Sequence, residues 1–165
     1  MGVPGSTVAE WKADVQAACA LKPQHLSCYG LQYEHNTPLT RKLEMGRIER
    51  IDQDVEATMY EFTCDALAAA GFEHYEVSNW AQPGEVCQHN LLYWRGRNWL
   101  AFGPSASGHL DGTRWRMTPH LHGWLEGVPW SPVEDLERLD VPTRARERLM
   151  LELRLLSLFR VLSIV

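Results

Sequence analysis

Residues 88 to 94, QHNLLYW, place an imidazole, an amide, a phenol and an indole close together in the chain. An imidazole such as that of His89 is a common axial ligand of heme iron, and rings such as those of Tyr93 and Trp94 pack well against a macrocycle. A plainer role is also open, because His89 and Asn90 could be hydrogen-bond partners of buried backbone groups. From these residues alone, we expect the plainer role.

A second segment with chemical potential is the loop from Gly103 to Gly108, GPSASG. Its residues are small and polar, so its backbone amides could closely approach a carboxylate, a ribose or an adenine. The same composition is common wherever strands bend. The loop therefore indicates either a ligand contact or a simple turn.

Other polar residues are weaker candidates for a functional site. His120 and His122, together with His109, would suggest a metal site if the segment PHLHG were a strand, because alternate side chains share a face. On a helix the two imidazoles would diverge by roughly 200° and could not share an ion. Glu76, near the end of a predicted strand, could pair with a ligand amine, but we expect a hydrogen-bonded structural role.

The composition of the chain limits the classes of protein to which it could belong. The chain has 165 residues, a formal net charge of −5 and no basic stripe, so we expect no nucleic-acid partner. No apolar stretch reaches the roughly 20 residues that cross a bilayer, and the N-terminus lacks the features of a secretory signal, so a cytoplasmic location is expected. The four cysteines match no zinc, redox or cluster spacing and are expected to be reduced thiols.

The first half of the chain has the alternating elements of an α/β protein. Thr7 and Glu10 form a capping-box pattern that begins a helix running to about Leu21. A strand-length apolar run, residues 25–33, follows Pro23. Asp52 can cap a second helix with a single apolar stripe.

Gly71 should end that second helix, and residues 72–78 (FEHYEVS) follow as another strand. The order helix, strand, helix, strand predicts parallel strands joined by right-handed crossovers.

The second half is rich in aromatic residues and irregular segments. Residues 99–103 are predicted as a short strand, and Asp111-Gly112 indicates a tight hairpin. An amphipathic helix is expected after Pro142. The final run, residues 155–165, is too apolar for a free tail, so we expect a core to continue there.

Several segments taken together resemble one known family. They are GVPGST at 2–7, YGLQYE at 29–34, AAGFEHYEVSN at 69–79, HNLLYW at 89–94 and FGPSA at 102–106. Their order and spacing are similar to those of the radical S-adenosylmethionine (SAM) family that contains HemW and oxygen-independent coproporphyrinogen III oxidase. The HNxxYW pattern favours the HemW branch.

The resemblance implies an α/β fold with the terminal βα units of an incomplete radical SAM (β/α) barrel, followed by an α+β region leading into a C-terminal helical domain. Residues 1–79 would be the end of the barrel, 80–130 an aromatic-rich closing segment and 131–165 the start of the helical domain. Full-length relatives would bind SAM and a 4Fe-4S cluster. The implied function is heme binding and transfer to an acceptor protein, or alternatively oxidative decarboxylation of coproporphyrinogen III.

Site residues follow from the resemblance position by position. Gln32 matches the part of the family that lines the SAM site, and Ser107 lies in the loop that contacts the adenosyl group. His89 and Tyr93 match the pattern proposed for heme. No catalytic residue is assigned.

One departure from the family is serious. The C-x3-C-x2-C motif that holds the cluster lies upstream of the GVPG segment, where this sequence begins, and the four cysteines present cannot replace it. We therefore expect a C-terminal part of a longer protein that cannot perform radical chemistry alone. Alternatives are a non-catalytic tetrapyrrole-binding module or an inert chain. Missing barrel strands would leave an unpaired parallel edge, so self-association is expected.

Overall fold

The computed structural model describes residues 1–127 and 133–156, in two compact units, Met1–Val86 and Cys87–Val165. The first unit contains α1 (Val8–Ala20), β1 (His25–Ser27), α2 (Pro38–Glu44), α3 (Gln53–Ala69), β2 (Glu73–Glu76) and β3 (Asn79–Ala81). The chain is thus mixed α/β, as predicted. The predicted division at residues 79 and 130 stays a prediction.

Local capping signals begin and end the two long helices. At α1, Thr7 Oγ1 accepts the Glu10 amide at 3.2 Å, while the Glu10 carboxylate accepts the Thr7 amide at 2.8 Å. This reciprocal pair satisfies two of the amides that a helix start leaves unpaired. Asp52 caps α3, and Gly71 follows its end with φ of +87°, a conformation that favours glycine. These predictions are confirmed.

The first sheet is antiparallel, so the prediction that neighbouring strands would be parallel was wrong. Its strand order is β1-β3-β2, and β3 runs antiparallel to both neighbours. β1 and β2 therefore point the same way but do not pair. The reason is that the chain turns back at Val77 and Ser78, and β3 inserts between them.

The apolar run at residues 25–33 is a strand only as far as Ser27. Beyond it, the backbone pairs with the start of the chain. The Met1 amine donates to the Tyr29 carbonyl at 2.9 Å, and the Leu31 amide donates to the Met1 carbonyl at 3.0 Å. Long-range pairing of this kind leaves no signal in the local sequence pattern.

The core of the first unit lies between the helices and the sheet. Trp80 and Leu67 are fully buried, and Val15, Cys28 and Phe72 pack around them. Several polar groups buried beside this core are hydrogen-bonded, which offsets the cost of burying them, although the Trp80 indole N–H has no hydrogen-bond partner among the described residues.

One such contact joins α1 and α3. The Trp11 indole N–H donates to the hydroxyl of the fully buried Thr63 at 2.9 Å, and Thr63 in turn donates to the Met59 carbonyl at 2.7 Å.

The side chains of Asn79 and Glu76 are fully buried where the three strands meet. Ser27 Oγ donates to Asn79 Oδ1 at 2.5 Å, and Asn79 Nδ2 donates to the Tyr29 hydroxyl at 3.2 Å and to the Glu76 carboxylate. The Glu76 carboxylate also accepts the Ser78 amide at 3.0 Å. Glu76 is thus a structural acceptor, in agreement with the hydrogen-bonded role expected from the sequence.

The second unit contains α4 (Gln88–Trp94), β4 (Ser107–Leu110), β5 (Thr113–Met117), α5 (Leu121–Glu126), β6 (Val133–Arg138) and α6 (Val141–Glu152). Its sheet has the order β4-β5-β6, with antiparallel pairing throughout. Helix α4 packs against α6.

The predicted hairpin is confirmed. Asp111 and Gly112 both have positive φ, +50° and +83°, which is the backbone of the tight turns that suit twisted hairpins. In this hairpin Gly108 lies opposite Trp115, whose indole covers the glycine. The strand predicted at residues 99–103 is reduced to one bridge between Trp99 and His109, because the chain turns at Gly103 and Pro104.

The helix expected after Pro142 is also present. It begins one residue earlier, where the Asp140 carboxylate accepts the Thr143 amide at 2.8 Å. Most of the apolar run at 155–165 lies outside the described residues. Among the residues described, none of the helices has both the length and the apolar character to cross a bilayer.

Candidate functional site

Helix α4 brings His89 and Tyr93 together, because residues four apart lie one above the other on a helix. The Tyr93 hydroxyl is 2.7 Å from His89 Nε2, and the two rings meet edge to face with centroids 4.8 Å apart. The structure therefore joins the two residues that were predicted to bind heme. His89 is exposed and Tyr93 half-buried.

These two rings continue into a longer row. The Tyr93 ring is 4.7 Å from Trp99, again edge to face, and Trp99 is 4.9 Å from His109. We call these four residues, His89, Tyr93, Trp99 and His109, the aromatic row. Hydrogen bonds between the backbones of Trp99 and His109, at 2.9 and 3.0 Å, hold the far end of the row.

Three members of the aromatic row, Tyr93, Trp99 and His109, border a cleft between α4 and α6, the α4–α6 cleft. Its volume is about 680 Å³, which falls in the range of roughly 300–1,000 Å³ usual for small-molecule sites. Aromatic and aliphatic side chains form most of its wall, among them Tyr93, Trp99, Val141, Met150 and Leu151. Such a wall suits a flat, largely apolar ligand.

Three arginines and one glutamate also line the cleft. Arg114 bonds Glu137 and Glu147, both at 2.7 Å, and this pairing raises the pKa of Arg114. Arg148 pairs with Glu152, also at 2.7 Å.

Arg144 is the third arginine, and it has no salt bridge within the described part of the chain. Its guanidinium is therefore available to an anionic group on a ligand.

The two residues predicted to contact SAM are both exposed. Gln32 belongs to the irregular segment after β1 in the first unit, and Ser107 begins β4 in the second. The Ser107 carbonyl accepts the Trp99 indole N–H at 2.9 Å, and the residue is exposed. Exposure is necessary for a contact with SAM, so both assignments stay predictions.

Histidines outside the aromatic row do not form a metal site. Over residues 1–127 and 133–156, no group of three or more His, Cys, Asp or Glu side chains is arranged to hold an ion. His120 is at the N-cap position of α5 without a side-chain capping bond, and His122 on that helix pairs with Glu126 at 3.2 Å. The helical alternative considered for PHLHG is thus the one observed.

The cysteines do not fit an iron–sulfur cluster either. Cys28 is buried in the apolar core of the first unit with Cys19 and Cys64 near it. Burial raises the pKa of Cys28 and also that of Cys64, which disfavours the thiolate that a cluster requires. These buried cysteines are therefore not proposed as ligands of a cluster.

Two residues of the cleft, Arg144 and His109, were not predicted from the sequence as parts of a common site. Arg144 belongs to no recognisable motif, although its position on α6 follows from the helix predicted there. His109 was considered only with His120 and His122, whereas the structure sets it against Trp99. Backbone pairing across ten positions supplies that contact, and the only local sign of it was the hairpin that contains His109.

Comparisons with known proteins agree with this architecture. No family model matches the chain. Heme chaperone HemW of Mycobacterium tuberculosis is 38% identical over 156 residues, which is 93% of this chain and 40% of that protein. Heme chaperone HemW of Escherichia coli is 34% identical over 146 residues, covering 86% and 38%.

A solved structure, coproporphyrinogen III oxidase (HemN) from Escherichia coli, described as a radical SAM enzyme, shares the fold with a TM-score of 0.71. Its sequence is 14% identical, and the match covers 93% of this chain and 38% of that one. The fold is thus of the radical SAM class. With the sequence likeness to the curated relatives, the chain belongs to the HemW/HemN radical SAM family. It spans about 40% of the length of the curated relatives named above.

Proposed function

We propose that this chain is the tetrapyrrole-binding part of a HemW-like heme-handling protein, and that the α4–α6 cleft receives the macrocycle. The observation that carries the proposal is the cleft itself, with an aromatic row along one side and Arg144 on its wall. A porphyrin is flat and apolar with carboxylates at its edge. It therefore complements aromatic faces beside an arginine that lacks a salt bridge to any described residue.

His89 and Tyr93 are proposed as heme contacts because they match the family pattern and because Tyr93 lines the cleft. Full-length members would add SAM at the positions of Gln32 and Ser107, and a cluster outside these residues. Transfer of heme to an acceptor protein, a cytoplasmic location and self-association remain predictions. The described cysteines give no support to coproporphyrinogen oxidation by this chain alone.

A hemin titration tests the proposal. The 165-residue chain should bind hemin saturably, with a shifted Soret band, and Tyr93→Ala should weaken binding by removing part of the wall. His122→Ala is the matched control, because that imidazole is exposed and lies on α5 rather than in the aromatic row. Binding that fails to saturate, or that falls equally in the His122 variant, would contradict the proposal.

Radical chemistry has a separate test. With SAM, iron, sulfide and a reductant, the chain should form no 5′-deoxyadenosine, because the described cysteines do not form a cluster site. Formation of this product at a rate above the protein-free control would show that the residues do assemble a working centre.

A further inference from the structure

Arg144, on the first turns of α6, packs against the hairpin between β4 and β5. A Cβ built on Gly112, at the hairpin turn, would lie 2.9 Å from Cδ and Nε of Arg144 and 3.0 Å from its Cζ. The absence of a side chain at Gly112 therefore makes room for the arginine. The Leu139 amide donates to the Gly112 carbonyl at 2.8 Å, which ties the turn to the segment that leads into α6. Arg144 is nevertheless exposed and forms part of the cleft wall, so a ligand can reach it.

The charges of the cleft wall are compensated everywhere except at this residue. Two arginines of the wall are already paired with glutamates, Arg114 with Glu137 and Glu147, and Arg148 with Glu152. Within residues 1–127 and 133–156, the side chain of Arg144 makes neither a salt bridge nor a hydrogen bond. An anionic group of a ligand would therefore find a free partner beside Arg144, whereas the other two arginines offer it only groups that carboxylates already neutralise.

The far part of the same helix presents an apolar surface to the cleft. Met150 and Leu151 line the wall and follow Arg144 by about 10 Å along the axis of α6, which is comparable with the width of a porphyrin ring. Trp99 of the aromatic row adds to this apolar wall. A carboxylate placed there would lose water without gaining a partner, which is unfavourable. The cleft thus has a cationic part and an apolar part along α6.

We propose that Arg144 orients the macrocycle in the α4–α6 cleft by pairing with a carboxylate at one edge, so that the opposite edge lies against Met150 and Leu151. The cleft then selects tetrapyrroles whose carboxylates are confined to one edge over those that carry carboxylates around the whole ring. The inference rests on the proposed tetrapyrrole binding and adds an orientation and a specificity-determining residue.

The test uses metal-free porphyrins, whose fluorescence reports binding without any contribution from an iron ligand. Protoporphyrin carries its carboxylates on one edge, its dimethyl ester has none free, and coproporphyrin carries them around the ring. The unaltered chain should bind protoporphyrin about tenfold or more tightly than either of the other two. Arg144→Gln should lower the affinity for protoporphyrin to that for the ester and leave the affinity for the ester unchanged.

Arg146→Gln is the matched control. It removes the same charge from the same helix, but two positions along α6 turn its side chain by roughly 200°, and Arg146 is not part of the cleft wall. All three affinities should stay as they are in the unaltered chain.

Each failure has a distinct signature. An unchanged affinity of Arg144→Gln for protoporphyrin would overturn the inference, and so would a parallel loss for protoporphyrin and its ester, because Arg144 would then only shape the wall. An equal effect of Arg146→Gln would overturn it as well, because general attraction between charges would explain the preference. Coproporphyrin binding as tightly as protoporphyrin would refute the orientation with one apolar edge. If the unaltered chain binds none of the three porphyrins, the proposed function itself fails.

Discussion

Gly108 offers a direct test of the packing beside the site. A Cβ built on this glycine would lie 2.5 Å from Trp115 Cε2 and closer still to Cζ2, so the indole would have to move. Overpacking of this kind costs about 1–3 kcal/mol. Replacing a strand glycine by alanine returns roughly 0.5–1 kcal/mol of backbone entropy. Gly108→Ala should therefore destabilise the second unit by about 1–2 kcal/mol.

That loss corresponds to a fall in Tm of roughly 5–15 °C for a unit of this size. Thermal unfolding followed by circular dichroism and tryptophan fluorescence would measure it. Gly123→Ala is the matched control, because this glycine lies in α5, where a new Cβ would be 3.9 Å from the Cβ of His120. It should be neutral or stabilising.

A double variant makes the cause explicit. Combining Gly108→Ala with Trp115→Leu should cost less than the sum of the two single changes, because the smaller side chain leaves room for the methyl group. A melt of Gly108→Ala within a degree or two of the unaltered protein would refute the close approach of the indole. Strict additivity in the double variant would refute it as well.

Three further outcomes concern the first unit. Thr63→Val should lower the free energy of unfolding by about 1 kcal/mol in urea denaturation, because the Trp11 indole loses the nearer of its two acceptors and keeps only the Met59 carbonyl at 3.2 Å; an unchanged midpoint would contradict this. Burial lowers the pKa of His25 and of His74, so the unfolded chain takes up protons first, and stability should fall as pH drops through the ordinary value of 6.5. Urea midpoints at several pH values would show a shallower dependence in His74→Phe, and an identical slope would count against the argument. Because burial raises the pKa of Cys28, its alkylation by iodoacetamide, followed by mass spectrometry, should be much slower in the folded chain than in urea, and equal rates would disprove its burial.

Local signals predicted the helix ends and the hairpin well. The capping box at Thr7, the cap at Asp52 and the Asp111-Gly112 turn each depend on residues next to one another, so the sequence determines them directly. Strand pairing depends on distant segments. Nothing near residue 79 indicated that β3 would enter between β1 and β2, and the alternation of helices and strands favoured a parallel sheet.

The residues of the candidate site likewise include some that local sequence predicted and some that only long-range packing brings in. His89 and Tyr93 were found from a family pattern, and their contact follows from helical spacing once α4 is known. Arg144 and His109 join the same cleft only because α6 and β4 fold beside α4. The contact between His89 and Tyr93 on α4 could thus be predicted from the sequence. The residues that α6 and β4 add to the cleft could be identified only from the tertiary structure.

The buried polar contacts of Asn79 have a consequence for how the first sheet finds its alignment. Strands of three residues bury too few apolar side chains to select one pairing, and a shift by a single position would reverse every side chain. Such a shift would also separate Asn79 from Ser27 and Glu76 and leave the fully buried side chains of Asn79 and Glu76 without these partners. The energetic penalty on misaligned pairings, more than the attraction within the correct one, gives this small sheet a unique arrangement.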